Sequence, residues 1–349
     1  MAVSKVAWNR LLEEADGDAR ALIAVARAMM GQWPARAAAV ARDVLLMTPP
    51  ASTVNAAETL LRGMAPEWHF EIVKDAARNT AYQEALTRAV TARSRVLDIG
   101  SGTGLLAMMA ARAGARDIMS CEMNAAVAGA AKEVLAANGF ADRVTLIERH
   151  SSELDLDRDL GGPLDVIVSE IISNNLVGQG CLPVMEQAAC WLKPGGRMIP
   201  QAGAVRVALG WSEPAERLKM ADVQGLDLSA FNRLRPATQH HGIGHPGLSL
   251  RSSAADLMRF DFRSGGPFPA EEVRVRVTAE GGMVNGVIQW VHLQLDDVIS
   301  YENRPEPGAR SCWAAVFYAL PKVLEFAPGE SVIVAGAHDR ASLRIWVED

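Results

Sequence analysis

The eleven residues from Val96 to Leu106, Val-Leu-Asp-Ile-Gly-Ser-Gly-Thr-Gly-Leu-Leu, constrain the fold more tightly than any other stretch of the chain. An apolar run, three alternating glycines and a second apolar run read as a short buried strand, a tight turn and the start of a helix. Gly100, Gly102 and Gly104 let the backbone turn sharply and approach a ligand, with the N–H groups of the next helix aimed at it. By itself the glycine pattern is a weak signal, and the flanking periodicity decides its meaning. Short apolar strands are expected at 96–99, 117–121, 144–147, 166–169 and 197–199, with helices at 105–113, 125–138 and 182–192 between them. Such alternation predicts a parallel, doubly wound sheet covered on both faces. Trp191 to Ile199 reads as a helix end, a turn and a strand start.

The pattern differs on either side. Residues 1–62 are Ala-rich with apolar residues at helical spacing over 19–30, 35–46 and 53–61. Gly31-Gln-Trp-Pro34 and Pro49-Pro50 punctuate them, and Ser52 is the expected cap of the third helix. Three helices resemble a tetratricopeptide pair without establishing a repeat. They read either as an extension packed on the following domain or as a docking or dimer-forming surface. After Pro200 the period changes to β: segments at 205–209, 273–279, 287–295, 314–320, 331–337 and 342–347 succeed one another without helices, as in a β barrel or sandwich. The mixed stretch 213–245 interrupts them.

Composition narrows the function classes. A net charge of −6 argues against broad nucleic-acid binding, which needs Lys and Arg to neutralise phosphates, and is compatible with a cationic substrate. Cys121, Cys181, Cys190 and Cys312 have neither CxxC nor metal-ligand spacing and read as reduced core or site residues. His240, His241 and His245 lie in a Gly/Pro-rich stretch without nearby Cys or carboxylate and read as solvated loop histidines, so no metal is expected. Trp290 and His292 alternate with apolar residues as strand packing would. The N-terminus lacks an apolar signal core, and no apolar run is long enough to span a bilayer. A cytoplasmic protein is expected.

Two carboxylates specify the ligand of the glycine turn. Glu122 ends the next strand, about 20 residues on, where a carboxylate accepts hydrogen bonds from ribose hydroxyls. That much would also suit NAD. Asp98 stands before the first glycine, where it would repel a pyrophosphate and attract an ammonium. It therefore favours S-adenosylmethionine over a dinucleotide.

These residues carry a resemblance. The run from Leu97 onward, Leu-Asp-Ile-Gly-Ser-Gly-Thr-Gly-Leu-Leu-Ala-Met-Met-Ala-Ala-Arg-Ala-Gly-Ala, is similar to the first motif of the protein arginine methyltransferases. His69 to Tyr82 looks like the family's N-terminal helix, and the resemblance implies that Arg78 pairs with the carboxylate of the donor, a contact suited to bidentate geometry. Glu148-Arg-His-Ser-Ser-Glu-Leu154 is similar to the adenine-contacting loop of the type III, monomethylating branch, which implies Ser151 and Ser152 near the base. The likeness runs from about Trp68 to Trp313. It implies a class I S-adenosylmethionine-dependent methyltransferase domain, Rossmann-like, followed by a β barrel. Family members usually dimerise through an arm in the β domain, and the segment 226–235 or the N-terminal helices are the places for one here.

An arginine guanidinium is protonated at physiological pH and its nitrogen lone pairs are delocalised, so it is a poor nucleophile. Carboxylates facing the planar fork both orient it and localise its charge. In the family two glutamates flank a loop after the fourth strand for this task. Glu170 stands at the first position, but Gly178-Gln179-Gly180 replaces the Gly-Glu-Gly of the type III branch. Gln179 keeps an acceptor oxygen and loses the charge. Three readings follow: Gln179 orients the guanidinium while Glu170 carries charge and takes the proton, the substrate differs from peptidyl arginine, or the enzyme is weakened. Asn174 and Asn175, between these positions, are further candidates for substrate contact. Ser311-Cys312-Trp313 aligns with the family's Thr-His-Trp, whose histidine normally pairs with an aspartate equivalent to Asp75. With Cys312 that pair cannot form, which leaves Asp75 to salt-bridge Arg78. Trp313 remains to wall the arginine slot by stacking.

The sequence thus predicts a helical region at 1–62, a donor-binding domain at 63–200 and a β-barrel substrate domain at 201–349 with its insertion near 213–245. The expected reaction converts arginine and S-adenosylmethionine to ω-N-monomethylarginine and S-adenosylhomocysteine in a homodimer. The charge-reduced loop, the single catalytic module and the Ala/Arg-rich composition favour free L-arginine, which bacterial family members methylate on routes to guanidine-derived natural products. An arginine-containing peptide substrate is the alternative, and a non-catalytic cofactor or arginine sensor is the rival from another class.

Overall fold

The structure, a computed structural model, describes residues 5–348. Positions 1–4 of the expected helical region lie outside the described residues. Helices α1 (Lys5–Glu14), α2 (Ala19–Met29), α3 (Pro34–Leu46), α4 (Ala51–Arg62), α5 (Trp68–Lys74) and α6 (Ala76–Ala89) come first. The alternating part follows as β1 (Arg95–Ile99), α7 (Leu105–Arg112), β2 (Asp117–Cys121), α8 (Ala125–Ala137), β3 (Val144–Ile147), β4 (Leu164–Ser169), α9 (Cys181–Ala189) and β5 (Leu192–Ile199). Then come β6 (Ala202–Ser212), α10 (Glu213–Arg217), the short β7 (Asp222–Val223) and β8 (Leu226–Asp227), β9 (Thr238–His241), β10 (Leu248–Leu250), β11 (Ala255–Asp261), β12 (Glu271–Thr278), β13 (Gly282–Gln294), β14 (Ser300–Glu302), β15 (Ala315–Phe326), β16 (Ser331–His338) and β17 (Leu343–Val347). No helix among the described residues is long and apolar enough to cross a membrane.

Two compact units divide this chain, one of residues 1–73 and 90–163, the other of 74–89 and 164–349. In the first, Trp8, Leu12, Ile23, Ala26, Met29, Ala41, Val44 and Leu60 form the core of the α1–α4 bundle. Asp18 caps α2 by accepting the N–H groups of Arg20 and Ala21, and Pro34 opens α3 where no N–H is required. Alanines at the contact allow α3 to approach α8 closely: Ala38 packs on Ala125 and Ala126, and Arg42 Nη1 donates to the Ala125 carbonyl at 2.7 Å. The helical extension is therefore packed on the α/β part of its own unit. There β3, β2 and β1 pair in parallel in that order, with Ile99 beside Cys121 and Cys121 beside Ile147.

The second unit holds the parallel pair β4–β5, flanked by α6 and α9, and two antiparallel sheets. One follows the path β10-β6-β13-β15-β9, with β11 on β6 and β14 on β13; the other is β12-β16-β17. Ala208, Ile288, Trp290, Ala315 and Phe317 form a core of the larger sheet.

Several expectations are corrected. Ser52 does not cap α4, which begins at Ala51 with Pro50 in the cap position and no side-chain cap bond. The fixed φ of the proline sets the helix entry without one. The single helix expected across 69–82 breaks at Asp75 into α5 and α6. His240 and His241 belong to strand β9, paired with β15, and His241 is buried with its ring edge-on to Phe317. Cys190 is exposed. Strand β11 escaped detection because its polar and charged residues lie at an edge, on a strand broken by a bulge between Asp256 and Met258.

Strand β13 also carries an irregularity, between Val284 and Gly286. A Cβ at Gly286 would lie 2.1 Å from the Phe317 ring and 2.6 Å from the Tyr318 carbonyl. Gly286→Ala is therefore expected to destabilise the protein by about 1–3 kcal/mol, read as a shifted midpoint in urea denaturation. An unshifted midpoint would show that the contact relaxes freely.

Candidate active site

The first unit builds a ligand cradle around the glycine turn. Gly100 and Gly102 adopt φ of 83° and 54°, values a side chain resists. The N–H groups of Gly100 and Ser101 both donate to the Cys121 carbonyl, at 3.0 and 2.9 Å, so the turn after β1 is fastened to the end of β2. Glu122, buried, clamps the same turn: one carboxylate oxygen accepts the Gly102 N–H at 3.0 Å and the other the Asn124 N–H at 2.8 Å.

Asp98 is fully buried and takes a 2.9 Å hydrogen bond from Ser120 at Oδ2. Its Oδ1, like the hydroxyl of Ser101, has no hydrogen-bond partner among the described residues. Burial raises its pKa to about 7, against the pull of the Ser120 hydrogen bond. A buried acceptor without a donor beside a glycine turn is what an ammonium-bearing nucleoside ligand would satisfy. The expected adenine loop lies after β3. Ser151 is buried there, whereas Ser152 is exposed and its hydroxyl is 2.7 Å from His150 Nδ1.

The second unit brings together side chains of α6, the loop after β4 and the segment before β15. Glu170 follows the last residue of β4, and Arg78 on α6 donates to it from Nη1. Both side chains are nearly inaccessible, at 3% exposure for Arg78 and 6% for Glu170. Arg78 also donates from Nη2 to the Asn79 side chain at 2.7 Å. Arg78, the residue expected to meet the donor carboxylate, thus also donates to the Glu170 carboxylate.

Asp75 also departs from expectation. It does not bridge the Arg78 guanidinium. It sits immediately before α6 and accepts the Arg78 backbone N–H at 3.0 Å, the bond of a helix cap. Its other oxygen accepts the Tyr301 hydroxyl at 2.7 Å and the Cys312 N–H at 3.0 Å. Burial pushes the Asp75 pKa up, but these hydrogen bonds outweigh it and hold the carboxyl below its usual range. Tyr301 was not among the residues singled out from sequence. Lying 226 positions from Asp75, it had no local signal to reveal it.

The loop between Glu170 and α9 is rigidly held. Asn175 Oδ1 accepts the Gly178 N–H at 2.9 Å and the Ser173 hydroxyl at 2.8 Å. Asn174 Oδ1 accepts the Ala314 N–H at 3.0 Å, and its carbonyl accepts the Gln289 side chain at 3.0 Å. The two asparagines, candidates for substrate contact, also shape the loop. Trp313 is buried, donates from Nε1 to the Ile172 carbonyl at 3.0 Å and meets the Tyr301 ring at 5.5 Å between centroids. Gln179 is exposed at the loop end with φ of 57°, left-handed backbone in a non-glycine residue. Glu170 and burial together keep neighbouring groups neutral: burial first and then Glu170 raise Tyr82 well above its ordinary value and push the Cys181 thiol up to about 12.

Comparisons with known proteins bear on the fold and the family. The family profile of ribosomal protein L11 methyltransferase (PrmA) matches residues 81–203. A Trypanosoma brucei PRMT1 enzyme–prozyme complex with AdoHcy superposes with a TM-score of 0.69 at 24% identity, covering 80% of this chain and 93% of that one. Arabidopsis thaliana protein arginine methyltransferase 10 gives a TM-score of 0.67 at 19% identity, covering 79% of this chain and 89% of that one. Fold and cradle together define a class I S-adenosylmethionine-dependent methyltransferase with an antiparallel β-rich domain after it.

An arginine N(omega)-methyltransferase of Streptomyces achromogenes subsp. streptozoticus is 36% identical over 313 residues, 87% of this chain and 86% of that protein. Protein arginine N-methyltransferase 7 of Oryza sativa subsp. indica is 32% identical over 71% of this chain, which spans only 38% of that longer protein. The chain belongs to the arginine N-methyltransferase family.

With S-adenosylmethionine as the donor, an Asp98 carboxyl facing its ammonium would give binding a pH dependence. An ammonium is attracted by the ionised carboxyl, which predominates only above about pH 7. Affinity for S-adenosylhomocysteine is therefore expected to fall as pH drops below about 7, by up to about tenfold per unit. Asp98→Asn should flatten this dependence and weaken binding by roughly 1–3 kcal/mol, both measurable by calorimetric titration. An equally steep dependence in the variant would assign the titration to another group.

Proposed function

We propose that the protein transfers a methyl group from S-adenosylmethionine to a terminal nitrogen of free L-arginine, giving ω-N-monomethylarginine and S-adenosylhomocysteine. The observation that carries the reading is Glu170, a carboxylate buried at a strand end, followed by a pinned loop that ends in neutral Gln179. S-adenosylmethionine supplies a methyl group on a positively charged sulfur, which an in-line nucleophile attacks. On the protein side, Glu170 accepts hydrogen bonds from the acceptor guanidinium, fixes its plane and takes the proton released on methylation. Gln179 contributes a carbonyl acceptor to the same fork. Asp98 and Glu122 hold the ammonium and ribose of the donor, Gly100 and Gly102 allow its close approach, Ser151 and Ser152 border the adenine, and Trp313 walls the arginine slot. Alignment of the two reactants supplies much of the acceleration.

Free arginine is favoured over a peptide because the acceptor loop carries one carboxylate. A reader of cationic peptides would gain from more acidic charge there. Incubation with labelled donor and either free arginine or an Arg-Gly-rich peptide should label free arginine as the monomethyl product. Label in the peptide alone would overturn the substrate, and abundant dimethylarginine would overturn the product. Glu170→Gln should lower turnover by about 10²-fold or more while donor affinity persists, as acid–base and orienting groups do when neutralised. Retained turnover would remove Glu170 from the chemistry.

The same reading makes the enzyme a cytoplasmic homodimer. In the segment after α10, Leu218, Met220, Val223, Leu226, Phe231 and Leu234 are exposed, a density of apolar side chains that suits an intersubunit arm. Phe231→Asp with Leu234→Asp should convert the dimer to monomer in sedimentation velocity. An unchanged dimer would place the interface elsewhere.

A further inference from the structure

Asp75 lies at the end of an ordered chain of hydrogen bonds that the arginine chemistry does not by itself require. The Trp313 N–H donates to Ser311 Oγ at 3.1 Å, the Ser311 and Tyr301 hydroxyls are 2.8 Å apart, and the Tyr301 hydroxyl donates to Asp75 Oδ2 at 2.7 Å. An ionised carboxylate can only accept, so the Tyr301 proton points to Asp75. The Ser311 proton must then point to Tyr301. Bonds in such a chain polarise one another in the same sense and strengthen the terminal contact. At the far end, Asp75 Oδ1 caps α6 through the Arg78 N–H, and the Arg78 guanidinium donates to Glu170.

We propose that Tyr301 is a positioning residue for methyl transfer: its phenol fixes the Asp75 carboxylate, and through it the first turn of α6 that sets Arg78 against Glu170. Cys312, which occupies the place of the family histidine, offers Asp75 its backbone N–H, and the side-chain hydroxyl donor comes from β14. The kinetic part of this inference rests on the function proposed above, whereas the state of the carboxylate does not. The ionisable groups around Asp75 are Arg78 on its own helix, Tyr301 on β14, Cys312 in the following segment, and Glu170 beyond Arg78 at the end of β4. Among the influences on Asp75, burial is the largest and acts upward. Without the phenol, fewer hydrogen bonds oppose it.

Tyr301→Phe keeps the ring that meets Trp313 edge-on and removes only the hydroxyl. Carbon-13 titration of Asp75 in the full-length variant is expected to show its pKa raised by about one unit. With saturating donor, kcat should fall about tenfold, KM for arginine should stay within about twofold, and the acidic limb of the kcat profile should move to higher pH. An Asp75 titration that does not move, or a kcat and acidic limb like those of the unaltered protein, would overturn the proposal. A fall in melting temperature without either change has the same meaning, because a packing role moves stability alone. If Tyr301→Phe is not recovered folded, Ser311→Ala removes the donor behind the phenol and should shift Asp75 in the same direction by less. An unmoved titration there overturns the proposal equally. Absence of any methyl transfer by the unaltered protein would instead defeat the proposed function, and the carboxylate titration would still decide whether Tyr301 fixes Asp75.

Discussion

The contact that ties α6 to the end of β4 is the buried bond between Arg78 and Glu170. Both side chains are withdrawn from water, and their pairing offsets much of the cost of burying the two charges. That pairing explains the surrounding architecture. Asp75 breaks α5 from α6 and caps the helix so that Arg78 begins its first turns in a fixed place. Tyr82, on the same helix, donates its hydroxyl to the carbonyl of Ser169, the last residue before Glu170. One helix therefore grips the end of β4 twice, once through backbone and once through charge.

Two of the buried aspartates, Asp98 and Asp75, show how environment sets the state of one side chain. Asp98 has a single side-chain donor, Ser120, and burial lifts its pKa to about 7. Asp75 is also buried but collects the Tyr301 hydroxyl and two backbone N–H groups, which hold it ionised. The first keeps one buried oxygen without a hydrogen-bond partner among the described residues. The second is finished by the protein itself and works as a structural anchor.

What was legible in the sequence follows the range of the interactions involved. The Rossmann-like alternation, the glycine turn and the placement of Asp98 and Glu122 depend on neighbours within about two dozen residues, and the strands at 117–121 and 144–147 were read to the residue. The break at Asp75 was hidden because Ala76 onward continues the helical pattern and an aspartate inside a run does not announce a cap. His241 looked like a loop residue because its burial comes from β15, far along the chain. The commitment of Asn174 to Ala314 and of Asp75 to Tyr301 are long-range contacts between polar residues, which leave no periodicity.

Charge accounting gives Gln179 a meaning beyond a missing carboxylate. Asp75 and Glu170 bring two carboxylates and Arg78 one guanidinium to the start of α6 and the end of β4. The phenol of Tyr82 and the thiol of Cys181 stay protonated beside Glu170 and add nothing. One further guanidinium would balance these three side chains, and unbalanced charge among buried groups is expensive. A glutamate at 179 would restore a surplus that a substrate with further cationic residues could offset. Free arginine brings its own α-carboxylate and α-ammonium, which cancel, so under the proposed function it would present a single net positive charge.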